Sequence, residues 1–397
     1  MARTKKTVET PGEFNIDDAF SVIDKLNPYA TFLDDGALSN ITDFIDTGSY
    51  TLNAQISGKL VDGGIPMGRV TMLAGPSQTG KSYIVQNVIR NAQKKGLQVV
   101  VFDTENAIDG EGAKRLGIDI SKVKYVPTRS VEECRNIIQQ FLDKIMEMRQ
   151  KGKVLIVIDS LANLESEMQL NRMAKDNTSA DMGSFAKACK SLLKTCTRMG
   201  AFTNTPILIT NHIYDDPAAM FTQLVKAMPG GRTAVYLPTV TLQLSRSPIK
   251  PEEAWEEDKL TVGQKHQVGV ILKSLSVKNR IVKPDIAVEM YLSFNNGLDR
   301  YHGLKDLAVG FGLINQGGAT YSLPDGTKLG YFKNFRTNKQ FWDDMIPKIQ
   351  EKIDEEWNYS SYKEAVEANL SDEEAADLEQ TISNEESIES NDISEEN

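Results

Sequence analysis

The chain has 397 residues, 40% hydrophobic and 25% charged, a composition typical of soluble globular proteins and a length that predicts one large domain with smaller attachments. No uninterrupted apolar run is long enough to span a bilayer, and the opening MARTKKTVETPGEF has no apolar core for a signal peptide, so a cytoplasmic protein without a membrane anchor is expected. The net charge is −10, but the eleven acids and no Lys or Arg between Ser371 and Asn397 leave the first 370 residues at +1. The acidity is a tail, expected to be disordered, and does not exclude nucleic acid as a partner of the rest.

In chain order, Phe20, Val22, Ile23 and Leu26 recur at helical spacing and predict a short N-terminal helix. Leu52, Ile56 and Leu60 precede a turn at Gly63-Gly64-Ile65-Pro66. Strands are then expected at Val70 to Ala74, Gln98 to Asp103, Val154 to Ile158 and Ile207 to Thr210. Helices are expected at Tyr83 to Ala92, at Ala113 to Leu116, after a capping box of Ser130 and Glu133, and at Gly183 to Met199. Uniformly apolar strands alternating with helices imply a parallel sheet covered on both faces, a doubly wound α/β domain. From Val240 the pattern becomes alternating strands, expected as an antiparallel extension, followed by a smaller lobe from about Leu298 to Trp357. The expected division is an N-terminal segment at 1–45, a core at 46–297, a small lobe at 298–360 and the tail at 361–397. Cys134, Cys189 and Cys196, with three dispersed histidines, give no metal-ligand spacing and are expected to be buried apolar residues.

Gly75, Pro76, Ser77, Gln78, Thr79, Gly80, Lys81 and Ser82 spell GPSQTGKS, the phosphate-binding loop pattern, between a predicted strand and a predicted helix. The glycines let backbone N–H groups form a nest for phosphate oxygens. Lys81 would reach the terminal phosphates of ATP and Ser82 would ligate Mg²⁺. Asp159, closing an aliphatic strand, stands where P-loop hydrolases keep a second Mg²⁺ carboxylate. Glu105 ends the preceding strand; by position alone it is either a water-orienting base or a surface glutamate. Two long segments, Glu165 to Met182 and Tyr214 to Arg232, follow the C-terminal ends of core strands, where open sheets bind ligands.

The run from Asp46 to Ser82, then VVVFDTENAID, VLIVIDSLANL, ILITNH, PGGR and VKNR, resembles in order the landmarks of the RecA recombinases, over roughly residues 40 to 345. TNHIYDDPAAMF followed by a glycine pair is most similar to the recombinases of T4-like phages, which would place the protein in a host cytoplasm. The resemblance implies a RecA-like fold and gives Glu105 the role of catalytic base and His212 that of a γ-phosphate sensor. It implies that Lys278 and Arg280 act on the ATP of a neighbouring subunit, and that the two long segments contact DNA. There Arg172, Lys175, Lys226 and Arg232 would meet phosphates, while Met220, Phe221 and Met228 offer apolar surface to bases. The sequence departs from the family at Gly112, where an adenine-stacking aromatic is expected; Asp109 is either an adenine partner or a plain turn residue.

These features lead to a DNA-dependent ATPase using ATP and Mg²⁺. It would assemble as a helical homo-oligomer on single-stranded DNA and pair it with homologous double-stranded DNA, with a loader and a single-strand-binding protein as partners. An accessory or mediator ATPase and a ring-forming helicase are the rival readings.

Overall fold

The computed structural model describes residues 16–33, 38–106, 109–175, 183–214, 226–249 and 267–359, together with 255, 258, 260, 262 and 263. Met220, Phe221 and the acidic tail lie outside the described residues.

The elements run α1 (Ile16–Leu26), β1 (Phe44–Ile45), α2 (Tyr50–Ser57), β2 (Ile65–Pro66), β3 (Val70–Ala74), α3 (Lys81–Lys94) and β4 (Gln98–Asp103). Next come α4 (Gly110–Arg115), β5 (Val123–Tyr125), α5 (Val131–Glu147), β6 (Val154–Asp159), α6 (Glu167–Met173), α7 (Ser184–Thr203) and β7 (Ile207–Asn211). The chain continues through α8 (Arg232–Tyr236), β8 (Val240–Pro248), β9 (Gly269–Asn279), β10 (Ala287–Ser293) and β11 (Gly297–Leu298). It closes with α9 (Leu304–Gly310), β12 (Asn315–Gly317), β13 (Thr320–Ser322), β14 (Lys328–Tyr331), α10 (Phe332–Phe335) and α11 (Lys339–Glu356).

Among the described residues the main sheet has nine strands in the order β11-β10-β9-β8-β3-β7-β6-β4-β5. From β8 to β5 neighbouring strands are parallel, and β9, β10 and β11 add antiparallel. The change of direction expected at Val240 therefore falls one strand later, because β8 pairs parallel with β3. Every residue of β3 and β6 is buried, which is why these strands read as unbroken apolar runs. One face packs on α3, with Ile84, Val85, Val88 and Ile89 beneath it. The other packs on α5 and α7, with Ile138, Leu142, Leu192 and Leu193. A third cluster, around Trp342, Ile349 and Ile353 of α11, joins the C-terminal elements to Leu60, Val282 and Val288.

Local signals act as read, with one shift. Ser130 caps α5 by accepting from Glu133 N at 3.0 Å, but Glu133 accepts from Arg129 N, one residue before the box's usual partner. The segment Glu165 to Met182 is not all loop, since it contains α6, capped by Ser166. Cys134, Cys189 and Cys196 are buried and free. Among the described residues no helix is long and apolar enough to cross a membrane.

Candidate nucleotide site and nucleic-acid face

The loop from Gly75 to Gly80 leaves β3 and turns into α3 at the C-terminal edge of the sheet. Two of its residues need a left-handed backbone, Gln78 at φ +62° and Gly80 at φ +76°. At Gly80 a side chain is also excluded by space, since a Cβ would meet Leu272 Cδ1 at 2.7 Å. Lys81 is buried and its ammonium donates to the carbonyls of Gly75 and Pro76, both at 2.8 Å. Burial lowers its pKa, and the carboxylates of Glu105 and Asp159 partly offset that. The lysine thus lies folded onto its own loop, where arriving phosphates would compete with backbone carbonyls.

Asp159 closes β6 beside the end of β4, in register with Asp103. Its Oδ1 accepts the Thr210 hydroxyl at 2.5 Å, whereas Oδ2 is buried with no hydrogen-bond partner. Burial raises its pKa and the nearby Glu105 and Asp103 raise it further, against the Thr210 hydrogen bond and the adjacent Ser82 hydroxyl, which lower it. A buried carboxylate oxygen without a partner is costly unless something else fills its coordination. Among the described residues no group of three or more His, Cys, Asp or Glu could cage a metal by itself. One carboxylate oxygen beside the Ser82 hydroxyl suits Mg²⁺, which takes few protein ligands and completes its shell with phosphate and water.

Glu105 lies just past β4. Its Oε1 accepts the Ser160 hydroxyl at 2.6 Å and lies 3.1 Å from His212 Nε2, beyond the end of β7. Burial pushes its pKa up, but hydrogen bonds from Ser160 and His212 and the charges of His212 and Lys81 outweigh that, so the carboxyl is held below its usual range. It is an anion fixed at the sheet edge. Ser160 and Thr104 were not singled out in the sequence. Thr104 Oγ1 donates to Ser160 O and accepts from Ser160 N, both at 2.9 Å, tying β4 to β6. A hydroxyl residue after each strand's acid was the available signal.

The other candidates lie apart from this cluster. Asp109 caps α4, accepting from Gly112 N at 2.8 Å and from Glu111 N, which is the geometry of a turn residue and leaves open whether it also meets adenine. Lys278 and Arg280 stand at the end of β9, turned to their own backbone. Lys278 Nζ donates to Pro238 O, and Arg280 Nη2 donates to Tyr236 O at 3.4 Å. Burial and the adjacent Arg280 push the Lys278 pKa down to about 8.

Arg172 is in the last turn of α6, with Lys175 just beyond it. Lys226 is pinned through its backbone to Gln243, by bonds of 2.9 and 2.7 Å, and exposed Arg232 opens α8. Met228 differs from expectation. It is 1% exposed within the core, because the Pro229-Gly230 turn folds under α7, where a Cβ at Gly230 would meet Cys189 Cβ at 3.4 Å. Missed in the sequence was the outer face of α7. Lys187, Lys190, Lys194 and Arg198 are all exposed at helical spacing, and the helix carries no acid. This basic stripe begins where the segment after β6 ends.

A strand, a phosphate loop, a helix and acids on the neighbouring strand ends define a P-loop α/β protein. The model of the RecA N-terminal domain matches residues 15–299, and the chain belongs to the RecA family. It is 29% identical over 314 residues to protein RecA of Streptomyces venezuelae, covering 78% of this chain and 76% of that protein. It is 28% identical over 320 residues to protein RecA of Thermus aquaticus, covering 79% and 86%. A solved RadB recombinase is similar at 16% identity with a TM-score of 0.45, over 65% of this chain and all of that one.

Proposed function

We propose that this RecA-family protein is a DNA-dependent ATPase that forms helical filaments on single-stranded DNA and carries out homologous pairing and strand exchange in recombination and repair. The observation that carries the reading is the anionic Glu105, held between Ser160 and His212 at the edge that also bears the phosphate loop and Asp159. Such a carboxylate orients water for attack on a γ-phosphate. Gly75 to Ser82 would cradle ATP, with Lys81 leaving its carbonyls for the terminal phosphates and with Ser82 and Asp159 holding Mg²⁺. Mg²⁺ supplies neutralisation of charge on the phosphoryl group. His212 touches the base and begins the segment leading to Lys226, so it can pass the state of the γ-phosphate to the DNA-contacting region.

Residues 1–45 act as the oligomerisation segment in this reading. In the described part of α1, Val22, Ile23 and Leu26 are more than half exposed, a face that calls for a partner. Head-to-tail contact that does not close gives an open helix. The segments holding Arg172, Lys175, Met220, Phe221, Lys226 and Arg232, with the α7 stripe, form the DNA face. The TNHIYDDPAAMF signature further suggests a recombinase of the T4-like phage type acting in a host cytoplasm with a loader and a single-strand-binding protein.

Negative-stain imaging with single-stranded DNA and a slowly hydrolysed ATP analogue tests this reading: open helical filaments are expected only with nucleotide. Closed rings would favour a helicase and no assembly an accessory ATPase. Deleting Ser371 to Asn397 removes eleven acids that compete with DNA phosphates for basic side chains. Tighter DNA binding is expected, most clearly at low salt, and equal affinity at every ionic strength would exclude that competition.

A further inference from the structure

A cleft of about 540 Å³ opens at the C-terminal edge of β4 and β5, on the far side of Glu105 from the phosphate loop. Asp103, Thr104 and Asn106 line one wall, and Pro127, Thr128, Arg129 and Glu133 line the other. The volume falls within the range of about 300–1,000 Å³ usual for small-ligand sites. Two of its polar groups are deeply buried, Asp103 at 2% exposure and Thr128 at 8%. Asp103 accepts Glu105 N at 3.0 Å. Thr128 Oγ1 is buried with no hydrogen-bond partner, a cost the fold bears for nothing unless a ligand relieves it.

We propose that this cleft seats one nucleobase, offered by the strand that lies on the segment after β6. The inference rests on the DNA-binding reading above. Its chemistry is that of a base edge. A buried carboxylate accepts from exocyclic amino groups, a hydroxyl can donate or accept, and Asn106, whose Oδ1 takes the Tyr125 hydroxyl at 3.1 Å, brings an amide. Arg129 is exposed at the rim beside Pro127, where a guanidinium can stack on a base or meet the adjoining phosphate.

The cleft is also joined to the candidate DNA face. Val131 N donates to Glu165 O at 2.9 Å and Glu165 N to Arg129 O at 3.1 Å, while Glu132 caps the start of α6 through Glu167 N at 3.0 Å. A strand on α6 is therefore one hydrogen-bonded step from the cleft rim. Thr104 and Asn106 flank Glu105 in sequence, so an occupied cleft would press on the residues that place the hydrolytic carboxylate, giving DNA a route to the ATP site.

The test uses the full chain, a slowly hydrolysed ATP analogue and single-stranded DNA carrying 2-aminopurine, with deoxycytidine monophosphate alone as a second probe. Thr128→Val keeps the shape and removes the orphan hydroxyl, so its melting temperature should equal or exceed that of the unaltered protein. Its DNA binding should weaken about 3–10-fold, the scale of one lost hydrogen bond, with a changed 2-aminopurine signal. Arg129→Ala should weaken binding in the same direction. Saturable, Thr128-dependent binding of the mononucleotide without DNA would support the site with a free nucleotide as the source. Unchanged affinity and fluorescence in both variants, with the mononucleotide unbound, would overturn the proposal. Failure of the unaltered protein to bind single-stranded DNA would defeat the broader reading, and the mononucleotide arm would still decide the cleft.

Discussion

Glu105→Gln is expected to lower steady-state ATP hydrolysis by about 10²–10⁴-fold, the usual contribution of a positioned general base, while leaving ATP and DNA binding in place. The side chains differ by one acceptor, so Gln can still take the Ser160 hydroxyl bond now made at 2.6 Å and the edge of β4 keeps its shape. What is lost is the anion that Ser160 and His212 hold below the usual carboxylate range. Phosphate release measured beside nucleotide filter binding separates the two effects. Full turnover in the variant would remove Glu105 from the mechanism. Lost nucleotide binding would instead assign it to architecture. Because the bound state would outlive ATP turnover, filaments of this variant should persist with ATP itself.

How much of this could be read from the sequence depended on how many physical demands each residue meets. β6 was legible because all six of its residues are buried and the five before Asp159 are aliphatic. The phosphate loop was legible because φ +76° and the 2.7 Å approach to Leu272 leave Gly80 no alternative. Asp159 and Glu105 were found as acids closing such strands. The less legible parts meet weaker demands. β5 has three residues on the sheet edge, two of them exposed, and so had no apolar run to betray it. α6 is a seven-residue helix with no buried side chain, held through its cap rather than a core stripe. Met228 was misplaced because its burial depends on a turn that folds under α7, a long-range fact without a local pattern. The stripe of Lys187, Lys190, Lys194 and Arg198 stands in the sequence at helical spacing, but the expectation for Gly183 to Met199 was a helix with neither face assigned. Nothing in local spacing joins Thr128 to Asp103; pairing of β4 with β5 brings them to one cleft.

Replacing Lys278 and Arg280 together by alanine should reduce assembly-dependent hydrolysis by about 10³-fold or more, the scale of a cation supplied to a phosphoryl group from a second subunit. Nucleotide binding by dilute protomers should be spared. In the protomer both cations rest on carbonyls, Lys278 on Pro238 and Arg280 on Tyr236, and in the proposed assembly they would exchange these backbone partners for phosphate oxygens of a neighbour's ATP. Hydrolysis would then depend on a subunit contact. The Lys278 pKa, lowered to about 8 by burial and Arg280, adds a pH signature. Lys278 is charged below that value and neutral above it, so kcat/KM, which reports ionisations of the free enzyme, should fall as pH rises through about 8. The effect on stability has the opposite sign. A lysine with a lower pKa folded than unfolded makes the native state more stable as pH climbs from about 8 towards the free value near 10.4. Falling hydrolysis with a steady or rising melting temperature would therefore identify loss of the cation rather than unfolding. Lys278→Arg keeps its charge throughout this range and should flatten the alkaline limb. An alkaline limb unchanged by Lys278→Arg, together with intact hydrolysis in the double alanine variant, would exclude the cross-subunit role.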